Sequence, residues 1–261
     1  MTWIKICGIT NPEDAHAAVA AGANALGFVF FEKSPRRVNV ETVKSIVADL
    51  PLKVEKIGVF VNETVDGVQR IVTETGLTAV QLHGEEDAEF SRSLFRLMSR
   101  GLRRPIIFRT CAAHIFDKPA DQRVGWDPVS SGLVEPDEAY KGKRVQKIHV
   151  AENGDLFLET HGFRPGVITG VLLDSSNSLQ RGGTGQAFDW ERVQPWAGVI
   201  NSISRLIVAG GLHAGNVQEA IHILHPWGVD VSSGVEREPG KKDPRKVRGF
   251  VQAVRAMEEA S

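Results

Sequence analysis

The stretch Lys5-Ile6-Cys7-Gly8-Ile9-Thr10, followed at once by Asn11-Pro12-Glu13-Asp14, reads as the end of an apolar strand, a tight turn and the start of a helix. Asn11 is placed to cap that helix, Pro12 suits its first position, Glu13 and Asp14 favour the positive end of its dipole, and Gly22 stops it after Ala21. A thiol, Cys7, therefore sits where a strand hands over to a helix. The same unit recurs along the chain, and the recurrence decides the fold.

Ala25 to Phe31 is a continuous apolar run bounded by turns, the pattern of a strand buried on both faces. Val43, Ile46, Val47 and Leu50 follow at helical spacing, then a buried strand at Lys56 to Val61 (KIGVFV). Val65, Val68 and Val72 give another helical face, Ala79 to Leu82 a strand, and Leu94, Phe95 and Met98 a helix. Further on, Gly170 to Asp174 (GVLLD), Arg205 to Ala209 (RLIVA) and Gly228 to Val231 (GVDV) read as strands. Val217, Ala220, Ile221 and Leu224 form a helical face between the last two. The final helix has Asp243 as its cap, Pro244 at its start, and Val247, Phe250, Val251 and Val254 on one side.

With one more strand in the irregular middle, the pattern predicts an α/β fold: a single (β/α)8 TIM barrel, one domain over residues 1–261. A doubly wound open sheet is the runner-up, disfavoured because no strand looks like a half-exposed edge. The middle, Arg104 to Arg144, holds Pro105, Pro119, Pro128 and Pro136 and exceeds the length of a compact loop, so an insertion at about 104–144 is expected near strand 5. Two segments compete for the fifth strand, Pro105 to Thr110 (PIIFRT) and Val145 to Val150 (VQKIHV). The second is taken as the strand and the first as part of the inserted excursion.

With 42% hydrophobic residues and a formal net charge of −1, the composition is that of an ordinary soluble globular chain, and it gives no reason to expect nucleic acid or an acidic membrane as partner. No apolar run approaches a membrane span and no basic leader precedes the first strand, so a cytoplasmic location is expected, although a trimmed plastid protein would read the same way. Two cysteines, Cys7 and Cys111, without metal-like spacing, point to free thiols and no structural metal.

Barrel enzymes place their chemistry at the C-terminal ends of the strands. There the sequence sets Cys7, Arg36 and Arg37, Asn62, His83, Asp174, Gly210-Gly211 and Ser232-Ser233-Gly234. The small residues after the last two strands let backbone N–H groups approach an anion, which reads as a phosphate site rather than as tight turns alone. Asp174 ends an apolar run beside the glycine-rich Gly182-Gly183-Thr184-Gly185, so a carboxyl at the mouth could be shielded by a closing loop and act as a general acid. Cys7 is a base or nucleophile if local positive charge favours its thiolate, but spacing alone makes a core-filling thiol the plainer reading. Arg36 could hold a carboxylate with its planar fork; at least one of Arg36 and Arg37 is expected to be a solvated surface residue. His83 reads equally as a ligand or proton-shuttling group and as a structural histidine.

Taken together, these segments resemble the phosphoribosylanthranilate isomerases. The matching pieces are KICGIT, GFVF (Gly27 to Phe30), SPR (Ser34 to Arg36), GVFVN (Gly58 to Asn62), QLHG (Gln81 to Gly84), LLDS (Leu172 to Ser175), GGTG with FDW (Gly182 to Trp190), AGGL (Ala209 to Leu212) and DVSSGVE (Asp230 to Glu236). PGKKD (Pro239 to Asp243) matches as well, though alone it is a plain solvated turn. The likeness runs through nearly the whole chain in order and departs at 104–144.

The resemblance implies a cofactor-free Amadori rearrangement of N-(5-phospho-β-D-ribosyl)anthranilate to 1-(2-carboxyphenylamino)-1-deoxy-D-ribulose 5-phosphate. Asp174 would be the general acid at the ribose ring oxygen and Cys7 the general base at C2′. Arg36 would hold the anthranilate carboxylate, the turns after strands 7 and 8 the phosphate, and Gly182 to Gly185 a lid. It implies a small phosphorylated substrate and a monomer or homodimer. A lyase such as indole-glycerol-phosphate synthase fits less well, because no lysine stands among these strand-end groups. A barrel that only binds phosphate as a sensor is the reading from a different class.

Overall fold

The computed structural model describes residues 1–100, 105–113, 134–136, 148–150, 156–158, 163–165, 167–175 and 187–259. Eight parallel strands close into a barrel: β1 (Trp3–Cys7), β2 (Ala25–Val29), β3 (Glu55–Phe60), β4 (Ala79–Leu82), β5 (Ile106–Ala112), β6 (Gly170–Asp174), β7 (Arg205–Val208) and β8 (Gly228–Val231). Each neighbours the next in sequence, and β8 returns to pair with β1, Lys5 opposite Asp230.

Seven helices are described around the ring: α1 (Pro12–Ala21), α2 (Val40–Ala48), α3 (Val65–Thr75), α4 (Ala88–Met98), α5 (Trp190–Ile203), α6 (Val217–Leu224) and α7 (Pro244–Glu259). Their ends follow from the capping chemistry in the sequence. The Asn11 side chain accepts the Asp14 N–H at 2.8 Å, and Gly22 ends α1 with φ of 101°. At α7 the Asp243 carboxylate accepts the Arg245 N–H at 2.8 Å. Among the described residues no helix is long and apolar enough to cross a membrane.

The core has two parts. A large cluster lies between strands and helices, where residues such as Ile4, Ile6, Leu26, Phe28, Val80 and Leu173 meet the inward faces of the helices. A smaller one fills the barrel interior, with Ala25, Ile57, Ala79, Phe108, Leu172 and Ile207 closed off by Trp3 and Trp227. That end of the barrel is therefore filled by side chains.

The fifth strand corrects the sequence reading. Ile106–Ala112 occupies the barrel position, in register with β4 (Gln81 opposite Phe108) and with β6 (Gly170 opposite Phe108). Ile148–Val150 instead pairs antiparallel with Leu156–Leu158 in a separate two-stranded sheet, and Val134–Pro136 pairs likewise with Phe163–Pro165. The reason is in the pattern: PIIF is a continuous apolar run suited to a strand covered on both faces, whereas VQKIHV alternates polar and apolar residues, as a one-sided pair does. The excursion consequently begins after Ala112, not at residue 104.

Candidate active site

The C-terminal ends of the strands surround a cavity of about 320 Å³. Cys7, Arg36, His83, Asp174, Gly210, Gly211, Ser232 and Ser233 all line it. The strand ends thus bring most of the residues singled out from the sequence to one place; Asn62 is not among them, its side chain accepting the Glu85 N–H at 2.7 Å instead. Gly234 packs behind the wall, and Gly182, Gly183, Thr184 and Gly185 lie outside the described residues. Arg37 points away, exposed, with its guanidinium 3.4 Å from Glu32.

Two sides of the cavity differ in chemistry. Val29, Phe31, Val59 and Val61 make an apolar wall at the ends of β2 and β3, beside Arg36. The rest of the rim is made by the turns after β7 and β8, with Ser232 beside the stem of Arg36 at Gly8. Gly210 and Gly211 have φ of 76° and 67°, the left-handed region that glycine tolerates. A Cβ at Gly210 would lie 2.4 Å from the Ser175 N, and one at Gly234 1.9 Å from the Leu212 O, so both turns are packed backbone against backbone. That leaves a surface of main chain and small hydroxyls, the kind that takes an oxyanion.

At the floor, Cys7 is buried and Lys5 lies two residues below it on the same face of β1. Lys5 is 1% exposed, and its Nζ donates to Asp230 Oδ2 at 2.9 Å. Burial works to lower Lys5, yet Asp230 and Cys7 outweigh it and hold the ammonium above its ordinary pKa. At Cys7 burial is again the largest influence, and with the Asp230 charge it pushes the thiol up against the opposing pull of Lys5. The resting group is a thiol. Asp230 itself is pushed up by burial, partly offset by Lys5; at 2.9 Å the two form an ion pair, Lys5 buried beneath and Asp230 at the cavity floor. Asp230 lines the cavity while Lys5 does not.

His83 and Asp174 face each other across the mouth, Nε2 to Oδ2 at 3.7 Å. The ring is fixed from behind: Nδ1 lies 3.1 Å from Gln81 Nε2 and 3.0 Å from Thr110 Oγ1. Gln81 Nε2 also donates to Thr110 Oγ1 at 3.1 Å. Burial lowers the His83 pKa against the attraction of Asp174, so the ring is neutral at physiological pH.

Arg36 is held rather than free. Its Nε and Nη2 donate to the two oxygens of Glu236 at 2.8 and 2.7 Å. Lys242 Nζ donates to the same Glu236 at 2.8 Å and to the Ser232 carbonyl at 3.2 Å. Lys242 is 0% exposed, so Pro239 to Asp243 is not the plain solvated turn its composition suggests; the neighbouring Lys241 is exposed, paired with Glu238 at 2.7 Å. Burial acts to raise Glu236, but Arg36 and Lys242 outweigh it and its pKa is lowered.

Sequence reasoning missed Asp230, Thr110, Glu236 and Lys242. Thr110 was hidden by the misplaced fifth strand. The others acquire meaning from partners far along the chain, and the only early signal was that DVSSGVE and PGKKD each carry charges next to the phosphate-type turn.

The family model described as N-(5′-phosphoribosyl)anthranilate (PRA) isomerase matches residues 4–103 and 134–253. The N-(5′-phosphoribosyl)anthranilate isomerase of Citrifermentans bemidjiense is 37% identical over 251 residues, covering 96% of each chain. That of Pelobacter propionicus is 36% identical over 261 residues, covering 100% of this chain and 99% of the other. The crystal structure of phosphoribosyl anthranilate isomerase from Thermotoga maritima superposes with a TM-score of 0.69 at 30% identity, covering 98% of this chain and 100% of that one. A second structure, of a phosphoribosyl anthranilate isomerase in complex with reduced 1-(o-carboxyphenylamino)-1-deoxyribulose 5-phosphate, matches with a TM-score of 0.67 at 30% identity over the same shares.

Proposed function

The chain belongs to the N-(5′-phosphoribosyl)anthranilate isomerase family, and from that premise we propose that it converts N-(5-phospho-β-D-ribosyl)anthranilate into 1-(2-carboxyphenylamino)-1-deoxy-D-ribulose 5-phosphate, an Amadori rearrangement of tryptophan biosynthesis. One observation carries the reading: Cys7 and Asp174 line a single cavity together with Arg36, an apolar wall and the Gly210-Gly211 and Ser232-Ser233 turns. That is an acid and a base between two anion-holding ends, the arrangement that positions a substrate bearing a carboxylate at one end and a phosphate at the other.

In this reading the phosphate rests on the turns after β7 and β8, and the aromatic ring lies against Val29, Phe31, Val59 and Val61 with its carboxylate toward Arg36. Asp174 gives its proton to the ribose ring oxygen; the C1′–O bond breaks, and the nitrogen lone pair forms the C1′=N bond of a Schiff base. Cys7, as thiolate, takes the C2′ proton, and the electron pair of that bond moves to form an enolamine. Loss of the enol hydroxyl proton and protonation at C1′ complete the ketone. His83, neutral and anchored by Gln81 and Thr110, lies beside Asp174 at the mouth, its Nε2 3.7 Å from the carboxylate. The reading further takes the chain as a single barrel domain acting in the cytoplasm, as monomer or homodimer, with Gly182 to Gly185 as the lid.

The test is a turnover assay following loss of the fluorescent anthranilate substrate, with no metal or cofactor added. Cys7→Ala and Asp174→Asn are each expected to lose at least about a hundredfold in turnover while keeping the far-ultraviolet dichroism of the parent. Full activity in either variant overturns its assigned role.

A further inference from the structure

Arg36 cannot present its whole fork to a substrate. The stem of its side chain crosses Gly8: a Cβ there would lie 2.6 Å from Arg36 Cδ, and Gly8 has φ of 78°. At the far end, the bidentate bond to Glu236 consumes the inner edge of the guanidinium, Nε and one hydrogen of Nη2. The donors left over are those on Nη1 and the second hydrogen of Nη2. They form the outer edge, which is still able to grip a carboxylate with two parallel bonds.

Glu236 is itself locked. Its Oε1 takes the Lys242 ammonium at 2.8 Å and the Gly240 N–H at 3.3 Å, and the Lys242 N–H is in turn tied to Asp14 Oδ2 at 2.8 Å. Arg36 and Lys242 share the one Glu236 carboxylate, so the outer edge of Arg36 has no full counterion of its own in this cluster. A monoanionic group arriving at the outer edge of Arg36 therefore completes a balanced set, whereas an uncharged group leaves the cation without its second partner.

We propose that Glu236 is a positioning residue that sets substrate specificity: by gripping one edge of Arg36 it aims the other at the cavity and makes the site select ligands with a carboxylate on the ring. This rests on the reading of Arg36 as the carboxylate holder. Lys242 serves the same end one step further back, keeping Glu236 ionised and in place.

The experiment compares calorimetric binding of two product analogues: reduced 1-(o-carboxyphenylamino)-1-deoxyribulose 5-phosphate and its phenyl counterpart without the carboxyl. The preference for the first over the second is expected to fall about tenfold or more in Glu236→Gln, while the carboxyl-free analogue binds as in the parent. Steady-state kinetics should show KM rising more than kcat falls. Glu236→Asp keeps the charge but withdraws the two-oxygen reach, gives the same loss of preference, and serves if the glutamine variant does not fold. An unchanged preference, or equal weakening of both analogues, overturns the proposal. Arg36→Met separates the two layers: if it abolishes the preference while the Glu236 variants keep it, only the Glu236 role fails, and if it leaves the preference intact, the reading of Arg36 fails.

Discussion

Lys5 Nζ and Asp230 Oδ2 stand 2.9 Å apart at paired positions of β1 and β8, in the cavity floor two residues below Cys7. The ion pair sets the electrostatics under the thiol: Lys5 draws the Cys7 pKa down, and burial with the Asp230 charge drives it up by more. A base must be a thiolate, so kcat/KM should climb with pH into the alkaline range as that form accumulates. In Lys5→Met the restraining charge is gone and the rising limb should move to higher pH. Each unit of displacement lowers the thiolate fraction about tenfold on the acidic side, with recovery at high pH. A pH profile unchanged from the parent would show that Lys5 does not reach the reacting thiol.

Phe108 tests the course of the barrel. It is 3% exposed inside the ring, with its aromatic centroid 5.7 Å from that of Trp3. Phe108→Ala should cost about 3–5 kcal/mol, read as a lowered urea midpoint. A surface residue of an excursion would cost within about 0.5 kcal/mol, the outcome if Val145 to Val150 were the fifth strand instead.

Gly8→Ala combines two injuries. The left-handed backbone costs a side-chain-bearing residue about 1–3 kcal/mol, and the new methyl meets the stem of Arg36. Stability should drop by that amount, and KM should rise as Arg36 is displaced. A variant with lowered stability but parental KM would mean that Arg36 finds its position without the room Gly8 leaves.

Gly234→Ala probes the anion end. The methyl has no space against the Leu212 carbonyl, so the turns after β7 and β8 must part. KM is expected to rise about tenfold to a hundredfold with circular dichroism preserved, and binding of inorganic phosphate should weaken in parallel. Unchanged phosphate binding would remove these turns from the phosphate site.

The parts of this molecule that were legible in the sequence share a property: their causes are local. Asn11 and Pro12 start α1, and Gly22 ends it, through contacts within a few residues. Buried strands such as Ala25–Val29 announce themselves by unbroken apolar runs. The cavity-lining groups were found because strand ends are where a barrel opens. The fifth strand was misread because Pro105 abuts the apolar run Ile106 to Phe108 and opens a stretch that goes on through Pro119, Pro128 and Pro136, the composition of a loop. Lys242 was misread because a lysine between glycine and aspartate looks solvated until a carboxylate from Glu236 and an oxygen of Asp14 arrive to bury it. Nothing in the neighbouring residues states that they will.

Those late arrivals have a consequence for the making of the protein. Arg36 and Glu236 are 200 positions apart, Lys5 and Asp230 225, and Asp14 and Lys242 228. Synthesis proceeds at roughly 5–20 residues per second, so for many seconds the first strands carry Lys5 and Arg36 with no counterion yet made. Cys7, Lys5 and Asp174 are all in hand once the sixth strand has emerged, but Asp230, which pairs with Lys5, and Glu236, which aims the arginine, arrive only with β8 and the residues after it. Ring closure and completion of the site are thus one event, and a nascent chain stopped short of Lys242 holds the acid and the base without the lysine that secures Glu236.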